Sequence, residues 1–194
     1  MFSYLSSLMT VDNTFTSTSP LPSSIAPERV IEILHNHVTM IKMNPLVIDL
    51  QRCEPHEHAP EAERGLVWYE ITDKVSYLPF GLLSGQVKYK ACFKDLRMGL
   101  HTIIYAPLGL RTQNKWTLED QDEFQLREDV SMECNMFMAP FVKRTIKVSH
   151  GPLVDRLIIE AQSPERDLES TVGAQGESRS GPAVVQFNNK RKQL

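Results

Sequence analysis

Cysteine is scarce in this chain: Cys53, Cys92 and Cys134 are the only three in 194 residues. An odd and sparse set lays out no disulfide framework and points to a reducing compartment. There is no Asn-x-Ser/Thr acceptor, and no apolar run approaches the roughly 20 residues needed to span a bilayer. The opening MFSYLSSLMTVDNTF has no basic start and its apolar stretch is broken by serines, so no secretory signal is expected and the protein reads as cytoplasmic. Neither sign of charge is in large excess. With 21 Lys+Arg against 24 Asp+Glu the net charge is −3, which supplies no global field for nucleic acid or an anionic membrane. Gly-rich phosphate loops, HExxH and GxSxG are also missing, so nucleotide, zincin and serine-hydrolase readings have no support. Nothing calls for a cofactor or a metal. Cys53, His56 and His58 share a loop and are acceptable zinc ligands, but no spaced second half accompanies them.

What is present is an order of patterns. Residues Thr10 to Ser17 alternate as a strand, and a Ser/Pro-rich connection follows from Thr18 to Ala26. Val30, Ile31, Leu34, Val38 and Ile41 recur at helical spacing after Pro27-Glu28, and Asn44-Pro45 should stop that single helix. Leu46 to Leu50 reads as a short buried strand, and CEPHEHAPEAER (53–64) as a polar, solvated loop. Period-2 strands continue to Met138. In the first of them Val67, Tyr69, Ile71, Asp73, Val75 and Tyr77 share one face. PFGLLSG (79–85) is an apolar loop tip. Val87, Tyr89, Ala91 and Phe93 then point inward while Lys88, Lys90, Cys92 and Lys94 point outward. Leu100 to Ala106, Arg111 to Leu118 and Glu123 to Met138 complete the meander, the last with Leu126, Glu128, Val130, Met132, Cys134 and Met136 on one face.

From Pro140 the period becomes helical again, with His150, Leu153 and Leu157 on one side and a break at Gly151-Pro152. The expected organisation is a tail over 1–9, one domain over 10–162, and a C-terminal tail over 163–194 that lacks a core-forming pattern and is read as disordered.

This order gives an α+β class: a curved antiparallel sheet of about six or seven strands wrapped around a long C-terminal helix, with a smaller N-terminal helix. It resembles the START-like, SRPBCC or helix-grip, fold. The segments LHNHVTMIKMNPLV, VWYEITDKVSYLPFGLLSGQVKYKACF, YAPLGLRTQNKW, LREDVSMECNMFM and FVKRTIKVSHGPLVDRL are similar to an uncharacterised fungal domain family of that type. The resemblance implies lipid or polyketide binders and cyclases, often beside fungal secondary-metabolite pathways.

In such a fold the inward faces line a cavity. The candidate lining is Tyr69, Ile71, Tyr77, Val87, Tyr89, Phe93, Ile103, Trp116, Val130, Met132, Met136, Leu153 and Leu157, side chains that suit a flat hydrophobic ligand and equally a solid core. Asp73 and Glu128 interrupt inward apolar faces, where an acid is costly to ionise and can serve as general acid or base. A strand-end position with a basic partner would explain them as well. His101 and Tyr105 are placed on the same face as Ile103 and complete the candidate catalytic set. His37 falls near the apolar stripe of the N-terminal helix and His35 away from it. Three functions follow as expectations: a binder of a hydrophobic small molecule such as a lipid, sterol or polyketide, with PFGLLSG as a gate; a cofactor-free cyclase or dehydratase; or an interaction domain with a filled core and an exposed Lys88/Lys90/Lys94 strip. No nucleic-acid partner and no integral membrane segment are expected, and the oligomeric state is open.

Overall fold

The computed structural model describes residues 10–76, 84–120, 123–135 and 152–163. Its strands are β1 (Thr10–Pro20), β2 (Val47–Arg52), β3 (Val67–Ser76), β4 (Ser84–Leu96), β5 (Gly99–Ala106), β6 (Leu110–Asp120) and β7 (Phe124–Asn135). Its helices are α1 (Pro27–His35), α2 (His37–Met43), the single turn α3 (Glu61–Arg64) and α4 (152–162). The strands form one curved sheet in the order β1-β7-β6-β5-β4-β3-β2, every neighbouring pair antiparallel. β1 and β2 are therefore the two edges, and α1 and α2 carry the chain from one edge to the other.

Register decides which residues share a face. Tyr69 lies opposite Ala91, Ala91 opposite Ile104, Leu100 opposite Trp116, and Trp116 opposite Glu128. The inner face thus carries Tyr69, Ile71, Ala91, Phe93, Leu100, Trp116, Leu118 and Leu126. These pack with Val30, Ile33 and Leu34 of α1, Met40, Ile41 and Met43 of α2, and the fully buried Leu157 of α4. Leu153, Val154, Ile158 and Ala161 extend the α4 stripe at helical spacing. Arg156 ties the two helical layers together, its Nη1 donating to the Met43 carbonyl at 3.1 Å. The sheet and helix arrangement is the helix-grip fold anticipated from the order of patterns. Among the described residues no helix is long and apolar enough to cross a membrane.

Three local expectations are corrected. The N-terminal helix is two helices, because Asn36 leaves helical geometry (φ −82°, ψ 84°) and its side chain accepts from the Thr39 N–H at 3.0 Å, capping α2. The 53–66 segment is not a solvated loop. It lies against the outer face, where Ala59, Trp68, Cys92 and Ile103 make a second small core with Cys53, Leu66 and Tyr105 around it. Finally, β5 is in the opposite phase: Leu100, Thr102 and Ile104 face inward, while His101, Ile103 and Tyr105 face outward with Cys92. Both faces of that strand are covered by chain, so apolar residues occur at both parities and alternation cannot fix the phase. Tyr77, Met136, His150, residues 79–83 of PFGLLSG and the C-terminal tail beyond residue 163 lie outside the described residues, while Ser84 and Gly85, read as part of the loop tip, begin β4.

Candidate functional site

Two polar groups interrupt the inner face. The first is a track across four strands. Thr102 on β5 lies opposite Asn114 on β6, Asn114 donates from Nδ2 to Glu128 Oε1 on β7 at 3.5 Å, and Glu128 lies opposite Ser17 on β1. Glu128 is 1% exposed, and Thr102 and the neighbouring Thr112 are buried too. Among the described residues, the buried Asn114 Oδ1 atom has no hydrogen-bond partner. Trp116, directly across from Glu128, supplies the adjoining apolar wall.

The second group lies on β3, with β4 between it and the near end of the track, where α2 turns into β2. Asp73 is 8% exposed and faces Val47, at the point where the β2–β3 register shifts. The Tyr89 hydroxyl reaches both of its carboxylate oxygens at 3.2 Å, and the Asn44 side chain also hydrogen-bonds it. Burial pushes the Asp73 carboxyl up to about 6, against the opposing pull of those two hydrogen bonds. The Tyr89 hydroxyl is pushed well above its ordinary value, by burial first and by the adjacent Asp73. Asp73 on β3 and Glu128 on β7 are separated in the sheet by β4, β5 and β6.

Of the candidate lining, Tyr69, Ile71, Val87, Tyr89, Phe93, Trp116, Val130 and Met132 are on the inner face, and Leu153 and Leu157 face it from α4. His101, Ile103 and Tyr105 are not part of this site. Tyr105 belongs to an outer-face cluster in which Glu63 accepts from the Tyr105 hydroxyl at 2.5 Å and from Arg111 Nη2 at 2.9 Å. His56 stacks on the Tyr105 ring at 4.7 Å, and Trp68 Nε1 donates to the Glu63 carbonyl at 3.0 Å. The Tyr105 hydroxyl is pushed up by burial and by its bond to Glu63, and the His101 ring is pushed down by burial. This cluster fastens the 53–66 segment to the sheet. Lys90 helps, its Nζ donating to the Glu54 carbonyl at 3.0 Å, while Lys88 pairs with Glu70 at 3.3 Å.

Sequence reasoning put Asn114 on the face of Trp116 without singling it out, and missed Thr102 as an inner polar group because β5 was read in the opposite phase. It also missed Glu63 and Arg111 as partners of Tyr105. A tryptophan and a cysteine on the face read as wet, Trp68 and Cys92, were a signal for that outer cluster.

No curated protein sequence matches the chain. A family model described as a domain of unknown function matches residues 10–163. Among solved structures, the chain is similar to the di-domain ARO/CYC protein BexL from the BE-7585A biosynthetic pathway, with TM-score 0.56, 11% identity, and 79% of this chain and 51% of BexL covered. The chain therefore spans about half the length of that relative. It is also similar to the Zhui aromatase/cyclase from Streptomyces sp. R1128, with TM-score 0.50, 10% identity, and 78% and 93% of the two chains covered. For norcoclaurine synthase from Thalictrum flavum the TM-score is 0.50 at 9% identity, with 79% and 88% covered. At these identities the likeness establishes the shared fold.

Proposed function

The chain belongs to the DUF7053 family, and from that footing we propose that it binds a hydrophobic small molecule, a lipid, sterol or polyketide, between the inner sheet face and the C-terminal helix. The observation that carries this reading is the buried polar pair Asn114 and Glu128, in which Asn114 Oδ1 has no hydrogen-bond partner among the described residues. A solid core gains nothing from such groups, because a buried acceptor left unpaired costs about 1–3 kcal/mol. A ligand hydroxyl, or water accompanying the ligand, would meet Asn114 and recover that cost. Trp116, Val130 and Met132 around the track offer the apolar area that supplies affinity, at about 25 cal/mol per Å² before association costs. The fold of Zhui and BexL supports the class of ligand only as an analogy, since one fold hosts many functions.

The test is native mass spectrometry of the purified full chain, followed by denaturation and identification of released small molecules. A stoichiometric hydrophobic ligand whose retention is reduced by Asn114→Leu would support the reading. No ligand, together with no thermal shift across lipids, sterols and polyketides, would sink it in favour of a filled-core interaction domain.

A second reading, a cofactor-free cyclase or dehydratase, is favoured by Asp73. Its carboxyl titrates near 6 beside a phenol, so both protonation states are accessible near neutrality for general acid or base work. Glu128→Gln should then leave turnover intact if Asp73 is the acting group, and Asp73→Asn should abolish it while product still binds. The reverse pattern would transfer the role to Glu128.

A further inference from the structure

A separate groove opens at the end of the sheet where β2 finishes and β3 begins. It has a volume of about 570 Å³ and is walled by the α1–α2 junction on one side and by Arg52, Val67 and Tyr69 on the other. Asp73 lies four residues further along β3, so the groove is distinct from the two polar groups of the inner face.

Its chemistry is specific. The Arg52 guanidinium sits over the Tyr69 ring, 5.4 Å from the centroid, and Tyr69 is itself buried and braced edge-on by Phe93 and His37. That packing holds the cation in place as part of the wall. Among the described residues, no carboxylate lies within ion-pair distance of Arg52. The other polar groups nearby are already matched: Glu32 pairs with Arg29 at 3.2 Å, and His37 Nε2 meets Asp95 Oδ1 at 2.8 Å. His35 is fixed as well. Its Nε2 faces the carbonyls of Leu96 and Gly99 at 3.0 and 3.1 Å, and since carbonyls only accept, Nε2 carries the proton. The His37 ring is fixed too, stacked on Phe93 at 4.9 Å, so both imidazoles line the groove in set orientations, and Val38 and Val67 add apolar surface.

The geometry points to a second ligand site here, for a monoanionic aryl carboxylate whose carboxylate engages the Arg52 fork and whose ring body lies against the imidazoles and Val38. One unmatched cation selects a single negative charge. A phosphate dianion would need a second cation that the groove lining does not provide. The volume suits a molecule of two or three fused rings.

The test titrates the full chain with 2-naphthoate and, separately, with its neutral counterpart 2-naphthamide, following heat and the histidine ring resonances. Saturable naphthoate binding is expected, with naphthamide weaker by at least about tenfold. The His35 and His37 rings should shift while His58, on the outer-face segment, stays still. Arg52→Gln alters an exposed side chain and should erase the preference between the two probes. Naphthoate that fails to saturate, or a preference unchanged in Arg52→Gln, overturns the proposal. Shifts confined to the Trp116 indole also overturn it, because they would place naphthoate on the inner face and so support the main binding reading instead.

Discussion

Replacing Asp73 by asparagine tests the inner face most directly, because the structure gives the effect a sign that changes with pH. The Asp73 carboxyl moves from its ordinary 3.8 to about 6 in the folded protein, chiefly through burial. The folded state therefore holds this proton where the unfolded state has lost it. Stability from Asp73 is fully present below about pH 4 and is lost as pH rises through about 6, beyond which the buried charge is a constant burden. At ~1.4 kcal/mol per pH unit, that burden is roughly 3 kcal/mol. Asparagine keeps an acceptor for the Tyr89 hydroxyl but cannot ionise, and the loss of a charged acceptor returns about 1 kcal/mol of the gain. Asp73→Asn is thus expected to stabilise the protein by about 1–2 kcal/mol near pH 8 and to be neutral or slightly destabilising near pH 4. Urea unfolding of both proteins at several pH values between those limits reads the difference. A difference that stays constant across the range would refute the argument, since it would mean that Asp73 is ionised throughout in a well-compensated site.

The outer-face latch makes a contrasting prediction. Tyr105→Phe removes the 2.5 Å hydrogen bond to Glu63 and should cost about 1–2 kcal/mol in urea unfolding while leaving binding of any inner-face ligand unchanged. Loss of ligand in that variant would return Tyr105 to the site. At the far end of the sheet, Gly99→Ala would place a methyl carbon 1.9 Å from the Trp116 carbonyl oxygen, so β5 and β6 must separate. A loss of roughly 3 kcal/mol or more is expected in the same assay, and a variant as stable as the parent would contradict the strand spacing. Thiol labelling of the native chain should modify Cys53 well before Cys92, which is fully buried and whose thiol is pushed up to about 12. Equal rates would mean that the 53–66 segment opens freely.

The antiparallel sheet and the inward phases of β3, β4, β6 and β7 were legible because each of those strands has one face richer in apolar residues than the other. β5 was not, and the reason lies in a different part of the chain. Ile103 and Ile104 are neighbours of opposite parity, one under the 53–66 segment and the other under the helices. Nothing within LHTIIYA distinguishes them. The decisive information is that CEPHEHAPEAER folds back on the sheet, and its polar composition hides this because few of its side chains enter the outer core. Ala59 does, and Glu63 is held by partners far along the chain, Tyr105 and Arg111. His101 and Tyr105 therefore left the candidate catalytic set for a tertiary reason, while Asp73 and Glu128 stayed on the inner face because their strands were phased by many unambiguous neighbours.

The two histidines of α1 and α2 carry the same lesson in the opposite direction. On one continuous helix, residues two apart diverge, and His35 and His37 could not have met in one place. Asn36 breaks the helix by capping the next one, and the break brings both rings to the groove beside Arg52 and Tyr69. A single asparagine thereby converts an ordinary amphipathic helix into the wall of a site. The same substitution that mends the helix should dismantle the groove. Asn36→Ala, which favours a continuous helix and removes the cap to Thr39, should weaken 2-naphthoate binding while costing about 1 kcal/mol of stability. Retained binding in that variant would show that Arg52 alone suffices and that the imidazole walls contribute nothing.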